Sequence, residues 1–397
     1  MPIVTLTSLL AFYLAWNLGA NDVANSMGTA VGSKALTLRQ ALAIAGILEF
    51  AGALLLGQEV SSTLATQIIN PAQFIPDPSE FISGMIAVVI ACGVWLNIAT
   101  ILGLPVSSSH AVVGAIAGFA WVASGIEGVA WQTIGRISLT WVITPVVSGA
   151  IAASFYGFVK YWILDRSDAA ERLQEWIPWL SVAVVGTFGS LVLPTVAARF
   201  GWGVLPIDEM AIGGVLAAGL AIAMVKSASA KVESAIVPLQ VFSAGFVAFA
   251  HGSNDVGNAI APLSAIVYTS MTGSIPNGSF ATPLWVLAIG GLGIVGGLAT
   301  WGKKVITTVG EGILPLQPSA GFCAQWGTAV TVLIASQLGF PVSTSHAIIG
   351  SVVGIGLVQG GVQLGTLRGI ALAWGVTIPI AAGLTALIYE GVRWFGV

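Results

Sequence analysis

Apolar runs of membrane-spanning length recur along this chain, and polar residues interrupt them in few places. A span needs about 20 apolar residues. Runs of that kind lie near 2–20, 40–58, 82–102, 108–124, 131–160, 176–198, 210–225, 234–252, 256–272, 284–301, 319–338, 346–360 and 367–391. The pattern predicts about ten full spans with several shorter pieces. The segments beginning at Ser107 and Ser343 are short, and each follows Gly-x-Pro-Val, which stops the preceding helix. The pairs 82–124 and 319–360 therefore read as candidate re-entrant hairpins, a backbone form tolerated at membrane depth only when buried in protein or lining a cavity. Ser234 to Thr272 is too long for one span and predicts a break near Gly252-Ser253-Asn254. Residues 162–175, WILDRSDAAERLQE, read as a charged surface helix at a junction.

Two polar interruptions occur twice. GANDVANSMGTAVGS at 19–33 returns as HGSNDVGNAIAPLSA at 251–265, and Asn21-Asp22-Val23-x-Asn25 matches Asn254-Asp255-Val256-x-Asn258 at an offset of 233. GLPVSSSHAVVG at 103–114 returns as GFPVSTSHAIIG at 339–350 at an offset of 236. Equal order and nearly equal spacing predict two structural halves, 1–160 and 226–397, with a linker helix and two connecting spans over 161–225. Charge then gives orientation. Lys34 and Arg39, the 160–172 turn, Lys226 with Lys231, and Lys303 with Lys304 mark cytoplasmic loops by the positive-inside rule, whereas 58–80 carries only acids. Threaded this way the halves are inverted, the architecture of many secondary transporters. The expected fold is an all-α polytopic membrane protein of two inverted-topology repeats, with broken helices, re-entrant-type hairpins and about 10–12 membrane segments.

Composition agrees. Only 7% of the 397 residues are charged and 56% are hydrophobic, against about 25% charged in soluble domains. Fifty glycines suit close helix packing in lipid. The net charge of −3 leaves no basic patch for nucleic acid. Cys92 and Cys323 lie in apolar runs and imply no disulfide framework. The first residues carry no charged segment of the signal-peptide kind, which places the chain by default in a cell inner (plasma) membrane as a multi-pass protein.

A carboxylate costs several kcal/mol in hydrocarbon unless paired or solvated, so two of them with the same amide neighbours point to function. Asp22 with Asn21 and Asn25, and Asp255 with Asn254 and Asn258, offer hard oxygens suited to Na⁺. Ser107-Ser108-Ser109 and Ser343-Thr344-Ser345 place three hydroxyls where a helix exposes its unpaired N–H groups, a ready anion site. One cap needs one hydroxyl, and three in a row, twice, exceed that need. Brought to one pseudo-symmetry axis, these groups read as cation-coupled symport of a phosphate-like oxyanion.

These segments resemble the inorganic phosphate transporter (PiT) family of Na⁺- or H⁺-coupled phosphate symporters. The resemblance rests on GANDVANSMGTAVGSKALT at 19–37, HGSNDVGNAIAP at 251–262 and the two G-x-PVS-x-SH segments, and it extends over essentially the whole chain. It implies inorganic phosphate as substrate and a cation gradient as driving force; with the hard-oxygen ligands the expected coupling ion is Na⁺, with no organic cofactor and import driven by the Na⁺ gradient, and an H⁺-coupled symporter of phosphate or of a metal–phosphate complex is the alternative. By position, Asp22, Asn25, Asp255 and Asn258 match the family's cation residues, and Ser107, Ser108, Ser109, Ser343, Thr344 and Ser345 its substrate-binding hairpin tips. Many relatives carry Glu where this chain has Gln325, so an acid's role there does not transfer.

Other polar residues leave two readings each. Glu49 fits a cation path or a partner for a buried Ser or Trp; Asn97 and Gln40 fit extra cation ligands or simple bridges between helices. His110 and His346 read better as structural donors than as titrating groups, and His251 has no counterpart in the first motif, where Leu18 stands. An enzyme is excluded: adjacent Ser and His at a helix start do not face each other, no Asp orients either His, and there is no P-loop for ATP. A channel fits internal inverted repeats poorly. Homo-oligomerisation is left open.

Overall fold

The computed structural model describes residues 2–102, 106–201, 206–226, 232–278, 280–303, 306, 317–361 and 364–394. Pro105, Lys231 and Lys304, used above for helix ends and orientation, lie outside the described residues. Among those described, the regular structure is helical: α1 (Pro2–Gly32), α2 (Leu38–Leu56), α3 (Gln58–Thr66), α4 (Pro78–Leu102), α5 (Ser108–Ser124), α6 (Trp131–Val159), α7 (Ala169–Phe200), α8 (Pro206–Lys226), α9 (Val232–Thr272), α10 (Leu284–Thr300), α11 (Pro318–Gln337), α12 (Thr344–Gln359) and α13 (Leu364–Trp394). Seven are long and apolar enough to cross a bilayer, with α5, α10, α12 and part of α8 as shorter apolar helices.

Local chemistry sets the helix starts. α2 opens with a capping box in which Thr37 accepts from the Gln40 N–H and the Gln40 side chain accepts from the Thr37 N–H. This corrects one expectation: Gln40 is an exposed capping residue and is not part of the cation cluster. Asp77 accepts from Ser79 and Glu80 just before α4, and these bonds, the Ser79 hydroxyl first, hold its carboxyl below the usual carboxylate range. Ser107 and Ser343 cap α5 and α12 in matching extended conformations, each accepting at 3.3 Å from the N–H of the following His, His110 or His346.

The predicted break at Gly252–Asn254 is absent, because α9 is one helix from Val232 to Thr272. Length alone does not force a break, since tilt and projecting ends absorb an excess over the ~30 Å core. The polar side chains also leave the helix ladder intact. Ser253 Oγ donates to Ala250 O at 2.7 Å, and Asn254 reaches outward to Ser336 and Phe340 O. Gly252 has a packing reason: a β-carbon there would overlap the backbone of Glu49 on α2. Gly19 on α1 stands in the same relation to Ile294 on α10. Gly252→Ala is expected to cost about 1–3 kcal/mol by overpacking, read as a lower melting temperature in detergent. An unchanged melting temperature would mean that α2 and α9 can part without loss.

Packing is exchanged between the two ends of the chain. α1 lies on α10 while α9 lies on α2, and α5 lies on α13 while α12 lies on α6. The close approaches repeat: Gly114 and Gly118 face the α13 backbone at Ile378 and Ala382, and Gly350 and Gly354 face α6 at Pro145 and Gly149. This reciprocity carries both hairpin tips, at Ser107 and Ser343, into the middle of the bundle against α1 and α9.

Candidate functional site

Four elements meet here, the interiors of α1 and α9 and the starts of α5 and α12, and the chemistry follows from which half each contact comes from. On α1, Asn25 Nδ2 lies 3.2 Å from Asp22 Oδ1, 3.0 Å from Ser345 Oγ and 3.4 Å from Thr344 Oγ1. On α9, Asn258 Nδ2 lies 3.4 Å from Asp255 Oδ1, 3.2 Å from Ser109 Oγ and 3.5 Å from Ser108 Oγ. Each Asn therefore links the carboxylate of its own half to the hydroxyls of the other half's tip. Thr344 Oγ1 also donates to Asp255 Oδ2 at 3.3 Å. The tips touch directly, Ser109 Oγ donating to Val342 O at 2.7 Å. Ser107, Ser108, Ser109, Ser343, Thr344 and Ser345 are all buried.

The two clusters differ in access. Asn21 and Asn25 are half-buried, while Asn254, Asp255 and Asn258 are sealed. Asn21 donates to Asp22 Oδ1 at 3.1 Å, and Asn254 faces Ser336 rather than its neighbouring Asp. Thus the structure brings Asp22, Asn21, Asn25, Asp255 and Asn258 together with both tips, and places Asn254 on their border. Asn97 pairs with Asn17 at 3.1 Å, a bridge between α4 and α1. Gln40 is remote, as given above.

Sequence reasoning missed the centre of the second cluster. His251 Nε2 is 2.7 Å from Asp255 Oδ2 and its Nδ1 is 3.3 Å from Glu49 Oε1, all three side chains being fully buried. Glu49 Oε1 also accepts from Ser26 Oγ at 3.2 Å, and Gln325 Nε2 donates to Ser26 O at 3.0 Å. A polar chain thus runs Gln325–Ser26–Glu49–His251–Asp255. In the other half, Leu18 and Ile294 occupy the positions of His251 and Glu49, so the site is built asymmetrically on a repeated frame. The readable signal was His251 four residues before Asp255, one helical turn away on the same face.

What this arrangement can hold follows from its unpaired atoms. Asp22 Oδ2, Glu49 Oε2, Asn254 Oδ1, Asn258 Oδ1 and Gln325 Oε1 are buried oxygens without a hydrogen-bond partner among the described residues. All are acceptors, and a buried acceptor is costly unless met by a donor or a cation. Ligand atoms of Asp22, His251 and Asp255 lie within 4.8 Å of one another, close enough to share a cation environment. Opposite them stand donors: hydroxyls and the first N–H groups of α5 and α12. The site gathers hard oxygen acceptors beside two helix N-termini.

Comparison with known proteins converges on transport. A model described as "Phosphate transporter family" matches residues 18–385. A Pyrococcus abyssi protein named "Putative phosphate permease" is 37% identical over 405 residues, covering 98% of each chain. A Haemophilus influenzae protein of the same name is 38% identical over 413 residues, covering 98% of this chain and 97% of that one. A solved structure described as "The sodium-dependent phosphate transporter" superposes with a TM-score of 0.92 at 35% identity, covering 99% of this chain and all of the other.

Proposed function

The chain belongs to the phosphate transporter family, and from that premise we propose that it is a secondary active symporter importing inorganic phosphate on a Na⁺ gradient. It is a transporter and not an enzyme. The Na⁺ assignment is supported by the sodium-dependent transporter that it resembles over its whole length and by the site's own chemistry. The observation that carries it is the set of buried, unpartnered oxygens beside Asp22 and Asp255, facing the hydroxyls of both tips. Cations at Asp22, Asn21 and Asn25, and at Asp255, Asn258 and Asn254, would neutralise the carboxylates and the anion together. Phosphate would be gripped by Ser107, Ser108 and Ser109 from one side and by Ser343, Thr344 and Ser345 from the other. Glu49 belongs to the cation environment through His251. The half-buried Asn21 and Asn25 make the Asp22 cluster the one nearer to entry.

The test is radiolabelled phosphate uptake into proteoliposomes under Na⁺, Li⁺, K⁺ or H⁺ gradients imposed one at a time. Na⁺ alone is expected to drive concentrative uptake. Uptake driven equally by a proton gradient at fixed Na⁺ would replace this reading with the H⁺-coupled one.

The exchanged packing supports two inverted repeats, 1–160 and 226–397, with 161–225 between them, in an inner-membrane protein. Arg199 at the end of α7 donates to Leu55 O at the end of α2 at 3.0 Å, so both helices end on one face. Their starts, beside Arg166 and Arg172 and beside Lys34 and Arg39, then share the opposite, cytoplasmic face. Single cysteines in 58–80, in a background lacking Cys92 and Cys323, are expected to react with an impermeant maleimide added outside intact cells, and a cysteine near Lys303 to stay unlabelled. The opposite pattern would invert the topology.

A further inference from the structure

Behind the two tips lies a ring cluster that no step of transport described above uses. His110 and His346 meet edge to face with centroids 4.8 Å apart. Trp141 of α6 lies 3.9 Å from the His110 ring, and Trp374 of α13 stacks on His346 at 3.5 Å. The hydrogen bonds cross over. His110 Nδ1 is 3.2 Å from Trp374 O, and His346 Nδ1 is 3.1 Å from Trp141 O. Each Trp therefore offers its ring to one His and its carbonyl to the other. A carbonyl only accepts, so both imidazoles carry their proton on Nδ1. Both Nε2 atoms are buried without a partner among the described residues.

The Trp141 carbonyl explains why a donor is required at His346. Within α6 that carbonyl would be met by the N–H four residues on, but the residue there is Pro145, which has none. The orphaned acceptor is satisfied from outside the helix by the imidazole. Trp141 also reaches the second tip directly, its indole N–H donating to Pro341 O at 3.0 Å. The backbone N–H groups of the same two residues donate to the Ser107 and Ser343 caps, so each His belongs to the first turn that its ring anchors. The four rings thus connect both helix N-termini to α6 and α13 and fix the distance between them.

We propose that His110 and His346 are positioning residues for the anion: through Nδ1–H bonds to the Trp374 and Trp141 carbonyls they hold the two hydroxyl-bearing helix N-termini in mutual register. This rests on the tips being the phosphate site. A tetrahedral anion gripped from two sides loses contacts when one side shifts, whereas the carboxylates are carried by α1 and α9, helices that supply none of the four rings. The effect should fall on phosphate affinity and spare cation activation.

The decisive variants separate donor from ring. In His346→Phe the flat ring stays against Trp374 and the donor is lost. In His346→Asn an amide N–H occupies the Nδ1 position, and in His346→Gln it is displaced toward Nε2. Uptake kinetics are expected to show the apparent phosphate constant raised about tenfold in Phe and Gln, as for one buried acceptor left unpaired. Asn should return it to within about twofold of wild type, with the maximal rate and the Na⁺ constant little changed in all three. If the Phe variant does not reach the membrane, the Asn and Gln pair decides alone. Equal constants in Asn and Gln would overturn the proposal, as would a fall in maximal rate at an unchanged phosphate constant. Thr344→Val measured alongside separates the failures. A raised constant in Thr344→Val with a normal one in His346→Phe removes the positioning role alone; normal constants in both remove the anion site and this proposal with it.

Discussion

Asp255→Asn and Asp22→Asn are expected to abolish Na⁺-driven phosphate uptake while leaving a folded, inserted protein. The substitution keeps volume and one oxygen, so packing at these buried positions changes little. What is lost is charge. A carboxylate about 2.5 Å from a hard cation contributes about 6–7 kcal/mol at an effective dielectric of 20. Losing half of this already lowers cation occupancy by more than a hundredfold. At Asp255 the change reaches further, because Oδ2 also takes the Thr344 hydroxyl and the His251 Nε2 contact. The new amide would present a donor where an acceptor stood, and Thr344 would turn away from the second cluster. Asp255→Asn should therefore disturb phosphate binding as well, and Asp22→Asn chiefly cation activation. Uptake under a Na⁺ gradient and melting temperature in detergent, measured on the same preparations, check both. Full Na⁺ dependence in either variant would remove that Asp from the cation sites.

How far the site was legible depended on what kind of contact built it. The doubled Asn-Asp-x-x-Asn and Ser-rich segments were readable because polar residues inside apolar runs are expensive and repetition is not accidental. Their meeting was readable only through the inverted-repeat argument, since Asn25 and Ser345 are 320 residues apart. The Thr37–Gln40 capping box was readable too, and it accounts for Gln40 better than a cation role does. By contrast, the continuity of α9 was not. A glycine followed by polar residues reads as a helix break, and only the α2 backbone lying against Gly252 gives that residue another purpose. His251 escaped because its value lies in asymmetry. Its counterpart is Leu18, and the search for matching pairs that found the aspartates passes over a residue present once. The Trp141 carbonyl freed by Pro145 is equally invisible without knowing that His346 stands beside it.

The second large effect concerns which anion is held. At neutral pH phosphate carries a proton and sulfate carries none, so a site of donors alone would accept both. An acceptor that keeps its charge next to the anion rewards the protonated species and repels the other. Asp255 would serve as such an acceptor, with Oδ2 3.3 Å from the Thr344 hydroxyl of one tip, and Asp22 lies beside it, joined to the same tip through Asn25. Arsenate, similar to phosphate in shape and protonation, should compete well for uptake, and sulfate poorly. Ser108→Ala and Thr344→Val each remove one tip hydroxyl, Ser108 beside Asn258 and Thr344 beside Asp255. Either leaves a buried group unpaired, worth about 1–3 kcal/mol. The apparent phosphate constant is thus expected to rise roughly ten- to a hundredfold in each, with Na⁺ dependence kept. The two effects should not simply add, because Asn25 and Asn258 couple the tips through the aspartates. Sulfate competing as strongly as arsenate would mean that the site reads shape and charge but not the proton. Wild-type constants in both variants would return the serine clusters to ordinary helix capping, and the anion would have to be sought away from the two tips.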